Sequence, residues 1–76
     1  MPSRKTIDLT GLRCPMPIVE LNRLIKELDI GDEFLATADD PAFCLDAEAW
    51  CRATGNELVE ICDSDARYSA LIRKCG

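Results

Sequence analysis

The strongest constraint in this sequence is Gly11-Leu12-Arg13-Cys14-Pro15-Met16-Pro17, which puts two prolines within three residues. It lies between a short apolar run and an amphipathic one. Proline inside a helix removes a donor and clashes with the preceding turn. At the first helical position its fixed φ suits the helix and its missing N–H would have had no partner. Pro15 takes that position, and Pro17 falls in the same first turn, where donors are also unpaired. The prolines therefore set where a helix starts, and Cys14 falls at its mouth. The positive end of a helix dipole favours a thiolate, the nucleophilic form of cysteine. The alternative is an ordinary turn, because cysteine is not a preferred cap residue.

Taken in order, Lys5-Thr6-Ile7-Asp8-Leu9 alternates as a strand with Ile7 and Leu9 inward. Thr10-Gly11 is a turn. The first helix is predicted from about Pro15 to Leu28, with Ile18, Leu21, Leu24, Ile25 and Leu28 at helical spacing. Arg23 and Glu27 stand four apart on its other face and can pair. Asp29-Ile30-Gly31-Asp32 ends that helix, and Glu33–Ala38 is a second strand. Asp40 then serves as N-cap and Pro41 as first residue of a second helix, to about Ala53. Its inner stripe is Phe43, Ala47, Trp50 and Cys51. Thr54-Gly55-Asn56 closes it. Glu57–Cys62 is a third strand, Asp63-Ser64-Asp65 a turn, and Arg67–Arg73 a fourth strand with Tyr68, Ala70 and Ile72 on one face.

The order β-α-β-α-β-β implies a parallel first pair joined by a right-handed crossover and an antiparallel hairpin at the end. Two helices on one face of a mixed four-stranded sheet give an α/β (α+β) two-layer sandwich. The open face would carry Thr6, Asp8, Leu35, Thr37, Leu58, Glu60, Ser69 and Leu71. Its leucines read as simple exposed side chains, with a partner surface as the alternative. One domain is expected over residues 1–76, with its core at about 5–74.

At 76 residues and net charge −5, the chain suits one small domain and is a poor holder of a nucleic-acid backbone. No direct nucleic-acid binding is expected, and a protein partner is. No apolar run reaches membrane-span length, and no apolar h-region follows the basic start. A cytoplasmic protein is expected. Five cysteines, an odd number, argue against a disulfide framework. With no histidine and no Cys-x-x-Cys, His-containing metal sites, Cys–His pairs and thioredoxin-type redox pairs lack their residues. Neither a cofactor nor a metal is expected.

Cys44 and Cys51 lie about 10 Å apart along the second helix and cannot bridge. Cys51 is a small core residue and Cys44 borders the stripe. Cys62 should face Arg67 or thereabouts, far from Cys75. Cys75 reads as an exposed bystander, or as a second acceptor for whatever Cys14 carries. Arg13 beside Cys14 could favour the thiolate. Asp40 is chiefly a cap. It could lie near Cys14, because both helix starts follow the C-terminal ends of parallel-type strands.

Several stretches resemble one family. Asp8-Leu9-Thr10-Gly11-Leu12-Arg13-Cys14-Pro15-Met16-Pro17 resembles the Cys-Pro-x-Pro signature of the TusA/SirA-like sulfur carriers. Ala38-Asp39-Asp40-Pro41-Ala42 resembles their second motif. Trp50-Cys51, Gly55, Glu57-Leu58-Val59, Tyr68 and Ile72-Arg73-Lys74 resemble the remainder, so the likeness covers residues 5 to 76. The resemblance implies a βαβαββ two-layer sandwich. It also implies a sulfurtransferase in which Cys14 accepts sulfane sulfur as a persulfide and passes it to a partner thiol. Arg13, Pro15, Met16, Pro17 and Asp40 are the supporting residues.

The implied donors are a cysteine desulfurase or a rhodanese-type protein. The implied acceptors are relay proteins for tRNA 2-thiouridine synthesis, molybdenum-cofactor synthesis or dissimilatory sulfur oxidation. A monomer suits a carrier that docks two partners in turn. Because Pro15 and Pro17 lack N–H groups, Met16 and Ile18 are the expected donors to a persulfide anion. Two positions depart from the family pattern. Asn56 stands where some tRNA-pathway members have histidine, and Cys75-Gly76 stands where Gly-Gly is common. The alternative function is a non-catalytic protein-binding or regulatory module of the same fold.

Overall fold

The computed structural model describes residues 4–13 and 16–75, with Arg4 as backbone only. The elements are β1 (Arg4–Asp8), α1 (Met16–Ile25), β2 (Glu33–Ala38), α2 (Phe43–Thr54), β3 (Glu57–Ser64) and β4 (Arg67–Arg73). They form one four-stranded sheet in the order β1-β2-β4-β3. β1 and β2 are parallel, whereas β4 runs antiparallel to both β2 and β3. The result is the expected mixed sheet with two helices. Among the described residues, no helix is long and apolar enough to cross a membrane.

Period-two burial along β2 sorts the faces: Phe34, Ala36 and Ala38 are buried and their neighbours are not. Ala36 pairs directly with Ala70, so the centre of the inner face is lined by methyl groups, with Phe34 and Ile72 paired beside them. Leu9, Leu21, Leu28, Phe43, Ala47, Trp50 and Cys51 complete the core, and Ile7, Ile18, Leu24, Ile25, Leu58 and Tyr68 pack against it. Both predicted helix stripes are therefore inward. The indole Nε1–H of Trp50 donates to Asn22 Oδ1 at 2.9 Å, tying α2 to α1.

Several boundaries move for local reasons. α1 ends at Ile25, not Leu28. Tighter bonds follow, with the N–H groups of Glu27 and Leu28 donating to the carbonyls of Leu24 and Ile25. Glu27 thus lies outside the helix, and Arg23 pairs with Glu20 at 3.4 Å instead of the expected Glu27. α2 begins at Phe43, two residues after the expected Pro41. Gly55, at φ 76°, ends it as foreseen.

β3 runs on to Ser64, so the hairpin turn is Asp65-Ala66, with φ 51° and 60° at its two positions. Cys62 accordingly pairs with Ser69, not Arg67. A bulge between Leu58 and Glu60 changes which face each residue meets. Leu58 pairs with Ile72 and packs on the core, while Glu60 pairs with Leu71 on the open face. The expectation of Leu58 on the open face is thereby corrected: the extra residue breaks the two-residue alternation.

Candidate functional site

The β1–α1 and β2–α2 loops leave the same end of two adjacent parallel strands. The ladder continues one residue past β1, where the Leu9 N–H donates to the Thr37 carbonyl at 2.7 Å. Asp8 then turns the chain. Its Oδ1 accepts the Thr10 N–H at 3.0 Å and the Thr10 hydroxyl at 2.7 Å. Those two bonds, the hydroxyl first, hold its carboxyl below the usual range. Gly11 follows at φ +85°, a conformation that strains any residue with a Cβ.

Asp39 reaches across from the second loop. Its Oδ1 accepts the Gly11 N–H at 2.9 Å and Arg13 Nη1 at 3.0 Å. The Gly11 N–H and then Arg13 lower the Asp39 carboxyl. A single carboxylate thus clasps the backbone and the guanidinium just ahead of position 14. The Met16 N–H donates to the Arg13 carbonyl at 2.8 Å. This donor was expected to serve an anion, and it is already engaged. Met16 is exposed and Pro17 is buried in the first turn of α1. The expected nucleophile Cys14 and its neighbour Pro15 lie outside the described residues.

Arg13, Met16 and Pro17 therefore bracket the motif, and Asp39 joins Arg13 to the second loop. Asp40, the supporting carboxylate named from sequence, is buried. Its Oδ1 accepts the Ala42 N–H at 3.0 Å and its carbonyl accepts the Phe43 N–H at 2.9 Å. It makes a cap-like bond, but in a turn that precedes the α-helix. Two adjacent aspartates looked alike in sequence. The one outside the cap was legible only through the parallel pairing of β1 with β2.

Cys44, Cys51, Cys62 and Cys75 are free thiols. Burial pushes the Cys51 thiol up to about 11. Burial, with Asp63 second, also raises Cys44. Cys62 is exposed and lines a shallow depression on the open face with Leu35, Glu60, Ser69 and Leu71.

Cys75 sits at the other end of the sheet. Its N–H donates to Asn56 Oδ1 at 3.0 Å, and the neighbouring Lys74 N–H donates to the Asp32 carbonyl at 2.8 Å. The length of β2, roughly 20 Å at strand rise, separates that end from Arg13. The placement gives no support to Cys75 as an acceptor for its own chain's Cys14. Among the described residues, no group of Cys, Asp and Glu could hold a metal ion.

A family model described as "Sulfurtransferase TusA" matches residues 5–74. Two curated proteins of Neisseria meningitidis are similar to the chain: "Putative sulfur carrier protein NMA0882" from serogroup A and "Putative sulfur carrier protein NMB0681" from serogroup B. Each is 32% identical over 69 residues, covering 91% of this chain and 93% of the relative.

Proposed function

The chain belongs to the TusA family of sulfurtransferases, and from that membership we propose that it is a sulfur carrier working through a persulfide on Cys14. The observation that carries this reading is the family match, which runs through the whole Cys14-Pro15-Met16-Pro17 motif. The names of the Neisseria relatives support the same role.

The chemistry needs no metal and no histidine. In loading, the Cys14 thiolate attacks the terminal sulfur of a donor persulfide, and the donor leaves as a thiolate. In unloading, an acceptor thiolate attacks the terminal sulfur on Cys14. The S–S bond breaks, Cys14 leaves as thiolate and the acceptor becomes the persulfide. Each exchange is redox-neutral overall. A cysteine desulfurase or a rhodanese-type protein is the donor in this reading. The acceptor is a relay protein for tRNA 2-thiolation, cofactor synthesis or sulfur oxidation. In this reading the carrier acts as a monomer in the cytoplasm.

Incubation with a rhodanese and thiosulfate, followed by intact mass measurement, tests the reading. The wild type should gain one sulfur atom that dithiothreitol removes. Cys14→Ser should gain none, and the Cys62→Ser/Cys75→Ser double variant should load like the wild type. Loading of Cys14→Ser at the wild-type level would overturn it.

A further inference from the structure

Arg13 is the covalent neighbour of Cys14, and an unpaired guanidinium there would draw the thiol towards its ionised form. The structure gives that guanidinium a partner from another loop. Asp39 Oδ1 lies 3.0 Å from Arg13 Nη1 and 2.9 Å from the Gly11 N–H, so one oxygen fixes both the loop's path and its charge. Resting on the carrier reading above, we propose that Asp39 is a positioning residue for sulfur transfer: it tethers the Gly11–Arg13 segment and offsets the Arg13 charge, keeping the Cys14 thiol less acidic than arginine alone would make it.

The consequence falls on both halves of the exchange. A less acidic thiol attacks a donor persulfide more strongly as its thiolate and departs more slowly when an acceptor attacks. At pH 7 the smaller thiolate fraction outweighs that gain and slows loading, so Asp39 biases the carrier towards holding sulfur once it is loaded. Other charges stand nearby: Asp8 at the end of β1, Asp40 beside Asp39, and Arg67 at the start of β4, whose charge acts on Asp8. They are unchanged between variants, so a cycle on Arg13 and Asp39 isolates the pair.

The test follows iodoacetamide alkylation of the Cys14 peptide by mass spectrometry across pH in wild type, Asp39→Asn, Arg13→Gln and the double variant. Asp39→Asn retains an oxygen acceptor for the Gly11 N–H and removes only the charge. Its alkylation midpoint should move to lower pH, with about a twofold faster rate at pH 7. Arg13→Gln should move the midpoint the other way and slow the rate about twofold. The double variant should return close to wild type. An unmoved midpoint in Asp39→Asn would overturn the proposal, as would two single variants that shift in the same direction, the result of a loosened loop alone. Sulfur loading of the wild type is scored separately: its failure would remove the carrier reading, while the alkylation cycle still decides how Asp39 acts on the thiol.

Discussion

The Lys74 ammonium donates to the main-chain carbonyl of Leu28 at 2.6 Å, closing the end of the turn that follows α1. The same Nζ donates to the Ile25 carbonyl at 2.9 Å, and the Lys74 backbone exchanges bonds with Gly31 and Asp32. A cation is thus seated where the helix leaves carbonyls unpaired and its dipole is negative.

Lys74→Met keeps much of the aliphatic stem and removes the donor. It should lower the free energy of unfolding by about 1–2 kcal/mol. Urea titration followed by circular dichroism measures this, and a midpoint equal to wild type would show that the contact contributes nothing.

The buried Cys51 thiol gives stability an alkaline limb. Its folded value of about 11 lies above the ordinary 9.0, so the unfolded chain releases this proton first. The contribution is complete below pH 9, declines as pH rises and is gone beyond about 11. Cys51→Ala should start less stable, having lost a buried sulfur, yet fall less between these limits. Parallel denaturation curves for the two proteins across that window would contradict this origin.

In the β3–β4 turn, Asp65 and Ala66 both hold positive φ, which favours glycine or asparagine over alanine. Ala66→Gly should raise stability by about 1 kcal/mol. Thermal unfolding reads the gain, and a lower midpoint would mean that the unfolded chain's added freedom outweighs the relieved strain.

Features that depend on one element at a time were legible in the sequence. The apolar stripes of both helices, the Gly55 ending and the fourth strand from Arg67 to Arg73 all appear in the structure. So do the parallel first pair and the closing hairpin.

Relationships between distant residues were harder to read. Nothing local in the sequence marks Lys74, because its partners lie 46 and 49 residues away. Arg73 likewise showed no sign of bridging Glu33 and Glu57 across three strands. Asp40 was singled out over Asp39 because cap chemistry is written in local sequence, whereas contact with Arg13 follows only from strand pairing. The bulge escaped notice because Leu58 and Glu60 obey simple alternation on paper.

That bulge also shapes the free margin of the sheet. β3 is an edge strand, eight residues long, and Val59 and Ile61 are exposed along it. A straight ribbon of that composition would offer unpaired amides as a template for a neighbouring molecule. The extra residue throws the backbone out of step partway along and tightens its twist. A strand laid against it could stay in register for only a few residues before its bonding groups lost their partners. The irregularity thereby hinders stacking into fibres.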